Sequence, residues 1–253
     1  KSGPFALTLG DFAGIGPEIV VKAWERLHAS GPAFVVVGDY QSLVSAGGTG
    51  RHEVRRVTSP EQAARVFSEA LPVLDLPLRS PVVAGRPSPA AAASVVQWIE
   101  TAVGLALSGA VSGLVTAPIA KAPLYEAGFK FPGHTEFLGE LTQSTRYDGA
   151  RGPIMMLAAG DLKTTLVTIH EPISRVPGLL TIERVVNAGL ITAQALRRDF
   201  GVAQPRIAVA GLNPHAGESG GIGREDAEII EPAVRALRDL HVAATGPHPA
   251  DSL

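Results

Sequence analysis

Residues 5–27, FALTLGDFAGIGPEIVVKAWERL, decide the fold. Phe5–Leu9 is a short apolar run of strand length. Gly10, Gly14 and Gly16 follow as a turn, and Pro17 stands where a helix tolerates it, at the first position. Ile19, Val20, Ala23, Trp24 and Leu27 then recur at helical spacing. Strand, glycine turn and helix in that order are the opening of a βα unit, and the rest of the chain repeats the theme. AFVVV (33–37) is a second strand, ended by Gly-Asp-Tyr, and VRRV (54–57) a weaker third. Ser59-Pro60-Glu61-Gln62 carries a helix start, with serine as cap, proline at the first position and glutamine at the third, and that helix runs toward Ala70. LPVLDLPL (71–78) is a short strand or extended stretch.

Residues 77–89 are proline-rich and form the best linker or crossover. Ser88-Pro89 starts a long helix through residue 107, and GLVTAP (113–118) is the next strand. KAPLYEAGF (121–129) reads as a short helix closed by Gly128, and Thr135 as the cap of a helix containing Phe137, Leu138 and Leu141. IMMLA (154–158) and LKTTLVTI (162–169) flank Ala-Gly-Asp as a hairpin. Thr181 caps a long helix from Ile182. RIAVAGL (206–212) is a buried strand, EDAEIIEPAVRAL (225–237) a helix interrupted by Pro232, and HVAATG (241–246) one more strand. The order predicts an α/β fold with a mostly parallel sheet, at least one antiparallel part and ligands beyond the carboxyl ends of the strands.

Composition narrows the function. With 253 residues, 45% hydrophobic and 18% charged, the chain has material for a real core and is not disordered. A net charge of −2 offers no basic body for a nucleic-acid backbone. The absence of cysteine excludes disulfides, thiolate metal sites and cysteine nucleophiles. No apolar run reads as a bilayer span and no signal peptide is visible, so the expectation is a cytoplasmic protein without a membrane partner.

Four stretches carry candidate chemistry. The glycines of GDFAGIGPE are spaced four and then two apart, which is neither the dinucleotide fingerprint nor a Walker loop. Small residues there would let a ligand approach, with Asp11 binding a polar group; equally, the turn needs glycine for positive φ. Gly133-His134-Thr135-Glu136 opens a helix, where an imidazole and a hydroxyl suit a phosphate or carboxylate, and Lys121 just before would add positive charge. The plainer reading is a capping turn with an exposed histidine and an exposed lysine. His170 and His215 each follow a strand and are candidates to share a divalent metal, but two ligands are too few for a firm site and ordinary surface histidines are the plainer reading. His28, His52, His241 and His248 lack such context. The glycine-rich stretch 217–223 with Arg224-Glu225-Asp226 either binds a ligand or caps the next helix.

Five blocks, GDFAGIGPEI, TAPIAKAPLYEAGFKFPGHTEFL, MMLAAGDLKTTLVTIHEPI, RIAVAGLNPHAGESGGIGREDAEII and GPHPADSL, together resemble the 4-hydroxythreonine-4-phosphate dehydrogenase family and its paralogues, in the family's order. The resemblance implies a homodimeric isocitrate/isopropylmalate dehydrogenase-like fold with two subdomains, a central mixed sheet and an active site in the cleft between them. It divides the chain into 1–120 in the larger subdomain, 121–215 in a smaller substrate and dimerisation subdomain, and 216–253 returning to the larger one. It implies NAD or NADP as cofactor, a divalent ion (zinc, magnesium, manganese, cobalt or nickel) on His170 and His215, and substrate contacts from His134, Thr135, Lys121 and Asp251. Two histidines favour an ion softer than magnesium. The implied reaction oxidises the secondary hydroxyl of a small anionic, phosphorylated substrate and then loses carbon dioxide beta to the new ketone.

Phe12 stands where the family usually has proline, and Ala120 where it has asparagine. The second difference opens the alternative of a four-carbon sugar-acid phosphate or a cyclic dihydrodiol dicarboxylate as substrate. The family pattern also runs past Leu253, with a third metal histidine in a Tyr-His-Asp-Gln motif, further substrate-gripping residues and most of the cofactor loop. The expectation is therefore most of a dehydrogenase, with a non-catalytic binding remnant of the fold as the other reading.

Overall fold

Apolar strands flanked by glycine turns become parallel strands in the computed structural model of the protein, which describes residues 3–46, 53–80 and 83–253. His52, and Pro81 and Val82 of the linker, lie outside the described residues. The chain divides into two compact units, Lys1–Gly133 and His134–Leu253.

The first unit is built on five strands: β1 (Phe5–Thr8), β2 (Phe34–Gly38), β3 (Val54–Arg56), β4 (Leu71–Asp75) and β5 (Leu114–Thr116). They pair in the order β3-β4-β2-β1-β5, all parallel. Every residue of β2 is buried, as a central parallel strand covered on both faces requires. The helices are α1 (Gly16–Leu27), α2 (Tyr40–Ala46), α3 (Pro60–Val66), α4 (Ala92–Leu107) and α5 (Lys121–Glu126). Sequence reading did not find α2: Asp39 of the expected turn caps it, its carboxylate accepting the Ser42 N–H at 2.7 Å and the Ser42 hydroxyl at 2.8 Å. At α3 the Ser59 hydroxyl accepts the Gln62 N–H, and the Gln62 side chain reaches back to the Thr58 N–H. α3 ends at Val66, short of the expected Ala70. α5 closes as expected, with Gly128 at φ +90°.

α4 packs against β1 and β2 and is preceded by a 3-10 turn, Pro89–Ala91, capped by Ser88. Among the described residues, Pro89–Leu107 is long and apolar enough, with a mean hydropathy of 1.4, to cross a membrane by length and composition, although Gln97, Glu100 and Thr101 interrupt its apolar run. Trp98, Ile99 and Ala102 on this helix are buried in the unit's core, and the Trp98 indole N–H donates to the Leu76 carbonyl at 2.9 Å.

The second unit contains α6 (His134–Thr142), the antiparallel hairpin β6 (Met156–Ala159) and β7 (Leu162–Thr165), α7 (Val176–Leu179), α8 (Ile182–Arg198), β8 (Arg206–Ala210), α9 (Glu231–Asp239) and β9 (Ala243–His248). β8 and β9 pair in parallel as a separate two-stranded sheet, so the expected single central mixed sheet resolves into a parallel sheet in one unit and two small sheets in the other. α8 and α9 pack on this pair around Leu237, Val234, Ile230 and Ala193. Thr181 caps α8 as expected, accepting the Arg184 N–H at 3.2 Å. Thr135 does not cap α6, because the helix already includes His134 and Thr135 lies in its first turn. The expected strand 162–169 stops at Thr165, and His170 adopts φ +57° beyond it. Pro232 has no N–H to continue a helical ladder. The chain accommodates it with a π-helical turn at Asp226–Ile230, leaving the proline in the first turn of α9.

Trp98 fills the centre of the first unit and is fully buried. Trp98→Ala is expected to destabilise the protein by about 3–5 kcal/mol, read as a lower urea midpoint with an unchanged slope.

Candidate active site

Parallel pairing brings the loops at the carboxyl ends of the strands to one edge. In the first unit β1 has β2 on one side and β5 on the other, so its connection and that of β5 meet there. The Asp11 N–H donates to the Pro118 carbonyl at 2.8 Å, fastening the glycine loop to the residues after β5. Gly10 has φ +71°, and a Cβ there would run into that same carbonyl, so glycine is needed for conformation and for space. Asp11 turns inward on its own loop, its carboxylate accepting the Ala13 N–H at 3.0 Å.

Phe12 and Ala120 line one small hollow together with Asp11, Ala91, Val95 and Leu124. The Phe12 ring meets Trp98 edge-on at 6.5 Å. On the same edge, beyond β1, β2 and β4, a cleft of about 830 Å³ is lined by Phe12, Gly14, Pro17, Ser42, Lys22 and Arg79 among others. Its two cations are engaged: Lys22 with Glu18, and Arg79 with the Gln97 side chain at 3.2 Å. Lys121 is exposed at the first position of α5.

In the second unit His134 and Thr135, both half-buried, occupy the first turn of α6, where the helix presents unpaired N–H groups. His170 is exposed. β8 and β9 deliver His215 and Asp251 to the same edge, and the His215 Nδ1 lies 3.9 Å from the Asp251 carboxylate. Both side chains are more than half exposed, which leaves them accessible to a ligand.

His215 sits in an uncommon backbone. His215, Ala216, Gly217, Glu218 and Ser219 all have φ between +43° and +81°, a continuous left-handed turn. Each non-glycine residue in that region costs roughly 1–2 kcal/mol, so the surroundings must hold it. Asp226, 1% exposed, does much of that. Its carboxylate accepts the Leu212 N–H at 2.7 Å, the Asn213 N–H at 3.0 Å and the Asn213 side-chain amide at 2.9 Å. The same Asn213 amide donates to the Glu225 carboxylate at 2.8 Å. The Glu225 pKa is held below the ordinary glutamate value, first by its own backbone N–H and then by Asn213. Sequence reading placed Asp226 only in an acidic helix start; its aspartate just after a glycine-rich loop was the available signal.

Two exposed imidazoles, one with a carboxylate alongside, are donors of the kind a divalent site uses. They do not complete one, since no group of three or more histidine, aspartate or glutamate side chains able to hold a metal comes together among the described residues.

Comparison with known proteins adds a second line of evidence. The model of the family described as pyridoxal phosphate biosynthetic protein PdxA matches residues 31–253. A 4-hydroxythreonine-4-phosphate dehydrogenase from Caulobacter vibrioides is 65% identical over 252 residues, covering 100% of this chain and 75% of that protein. One from Maricaulis maris is 48% identical, covering 99% and 75%. Among solved structures, the 4-hydroxythreonine-4-phosphate dehydrogenase of Klebsiella pneumoniae superposes with a TM-score of 0.86 at 39% identity, covering 100% of this chain and 75% of that one. A terephthalate 1,2-cis-dihydrodiol dehydrogenase from Burkholderia xenovorans LB400 gives 0.65 at 28%, with the same coverage.

Two measurements probe the local chemistry. Ala120 is the cap residue of α5 and makes no side-chain cap bond, so Ala120→Asn is expected to add about 1 kcal/mol of stability by thermal unfolding. Glu225 has a lowered folded pKa, so its contribution is present above the unfolded value and is lost as pH falls through the folded one. Glu225→Gln, which does not titrate, is expected to remove that part of the acid-induced fall in Tm between neutral pH and about pH 3.

Proposed function

We infer the reaction from the family: the chain belongs to the pyridoxal phosphate biosynthetic protein PdxA family and is an NAD(P)-dependent dehydrogenase. Its proposed substrate is a phosphorylated hydroxy acid of the 4-phosphooxy-L-threonine type. The observation that carries this is the 65% identity, over the whole chain, to a 4-hydroxythreonine-4-phosphate dehydrogenase, against 28% to the dihydrodiol dehydrogenase. That contrast outweighs the single substitution at position 120, which had opened the sugar-acid and dihydrodiol alternatives.

The proposed chemistry is oxidation followed by decarboxylation. The carbon-bound hydrogen of the secondary alcohol leaves as hydride, the hydroxyl proton leaves with it, and a ketone forms. The bond to the carboxylate beta to that ketone then breaks and carbon dioxide departs. NAD or NADP, when bound, supplies the acceptor for the hydride. A divalent ion, when bound, would lower the pKa of the hydroxyl and steady negative charge on its oxygen. His170 and His215 would hold two positions of that ion, and further donors would have to complete its shell.

The chain's own residues have roles that need no such group. The first-turn N–H groups of α6, with the His134 imidazole and the Thr135 hydroxyl, suit an anionic end of the substrate by dipole and hydrogen bond. Lys121, exposed at the first position of α5, is a further candidate for an anionic substrate. Asp251, beside His215, would accept a hydrogen bond from a substrate hydroxyl. The arrangement proposed for these parts is the homodimeric isocitrate/isopropylmalate dehydrogenase-like one, with the segments 1–120, 121–215 and 216–253 as its subdomains.

The test is reduction of NAD and of NADP by 4-phosphooxy-L-threonine, with and without a chelator. Activity that the chelator abolishes and a divalent ion restores is expected. His134→Ala is expected to raise KM by about tenfold or more, the loss of one hydrogen bond to a charged group. Turnover of a four-carbon sugar-acid phosphate or a dihydrodiol dicarboxylate, without turnover of 4-phosphooxy-L-threonine, would overturn the substrate assignment.

A further inference from the structure

We propose that Asp226 is a positioning residue for His215: its buried carboxylate clamps the left-handed turn that carries the imidazole and so fixes where that ring is presented. This rests on the reading of His215 as a site residue and adds the part of the protein that orients it.

Three observations converge. First, the Asp226 carboxylate is almost wholly shielded from water, and its three hydrogen-bond donors come from Leu212 and Asn213, the last residues before the turn. It reaches back across the glycine-rich stretch to the end of β8 instead of serving only the helix it begins. Second, the turn it anchors is the run of left-handed residues 215–219, and such a run relaxes to ordinary backbone unless its ends are held. The Ala216 N–H donates to the Asn213 carbonyl at 3.1 Å, which carries the anchor into the turn. Third, the space around the clamp is cut to fit. A Cβ on Gly211 would lie 2.9 Å from one Asp226 oxygen, and a Cβ on Gly223 would lie 2.6 Å from the Asn213 side-chain nitrogen. Glycine at these positions lets the carboxylate and the Asn213 amide close on each other.

The chemistry of the substitution is specific. Asp226→Asn keeps the shape but replaces one acceptor oxygen by an NH₂ facing groups that are themselves donors. Whichever way the amide turns, a donor at Leu212 or at Asn213 loses its acceptor, the hold on the turn weakens, and the His215 ring leaves its position beside Asp251.

A double-mutant cycle on the protein assayed with 4-phosphooxy-L-threonine tests this, using Asp226→Asn, His215→Ala and the pair. Asp226→Asn is expected to lower kcat/KM by about tenfold or more. In the His215→Ala background the same change is expected to cost nothing further, because its route to the reaction is gone. Losses that simply multiply would overturn the proposal, as would full activity in Asp226→Asn. Should Asp226→Asn fail to fold, Asn213→Ala removes one of the three bonds to Asp226, together with the bond to Glu225, at a half-buried position and is read in the same cycle. A readout independent of turnover is the His215 imidazole NMR signal, identified by its loss in His215→Gln. It is expected to shift in Asp226→Asn while that of His28 stays in place, and an unmoved His215 signal would overturn the proposal. Full activity in His215→Ala, or no activity in the unsubstituted protein, would instead count against the functional reading on which this one rests.

Discussion

Parallel pairing of strands is the constraint on which the candidate sites depend. A parallel strand pair needs a crossover, so each strand's carboxyl end opens into a loop on one edge while the helices return the chain to the other. In the first unit this edge gathers the glycine loop, Asp39 and the residues after β5. In the second it gathers the His215 turn and Asp251. At neither edge are these segments close in sequence, and no local propensity would join them. The Ala117 N–H donating to the Thr8 carbonyl, and the Gly211 N–H donating to the His248 carbonyl at 2.8 Å, are the ladder bonds that bring each pair together.

At both edges the loops are held by a buried carboxylate. Asp39 accepts the Ser42 N–H, the Ser42 hydroxyl and, across the sheet edge, the Leu78 N–H at 3.1 Å. Asp226 accepts two backbone N–H groups and one amide from the end of β8. A carboxylate shielded from water is expensive unless hydrogen-bonded, and backbone N–H groups at loop starts need acceptors. One aspartate answers both requirements at a point where ordinary ladder bonding has ended. Hydrogen bonds to a charged acceptor are also the stronger kind, which suits loops that must stay in one conformation while facing a ligand.

The strands and helices were legible because their signals are local. β2 reads as a continuous apolar run, and Ser59, Ser88, Thr181 and Gly128 announce their helix ends by residue type alone. What escaped depends on long-range geometry. α2 hides behind a Gly-Asp-Tyr that looks like a turn; Asp39, which caps it through Ser42, is also held by the Leu78 N–H from another part of the chain. Thr135 looked like a cap because threonine caps helices, yet His134 is already helical. The five blocks of family likeness pointed to His134, His170, His215 and Asp251, and the structure brings His215 and Asp251 together. The clamp behind His215 carried only a weak signal, since left-handed backbone at alanine, glutamate and serine runs against the preferences of those residues. Local preference yields to tertiary structure most readily where a site is being shaped.

Phe12 and Ala120 illustrate how such a site tolerates change. Where the family resemblance places a proline, rigidity would come from a fixed φ. Phe12 offers no such restriction, but its ring is nearly buried and rests edge-on against Trp98, which is itself tied to the Leu76 carbonyl. The glycine loop is thus pinned by packing onto α4 instead of by a ring closure in the backbone. Across the hollow, Ala120 forgoes the side-chain cap that an asparagine would give α5. A bulky apolar residue and a small apolar one facing the same hollow leave its wall less polar than proline and asparagine would. The backbone bond between Asp11 and Pro118 is indifferent to both changes, because it uses main-chain atoms only. The loop's position is therefore set by the sheet, and what these two substitutions alter is the surface it offers to whatever binds there.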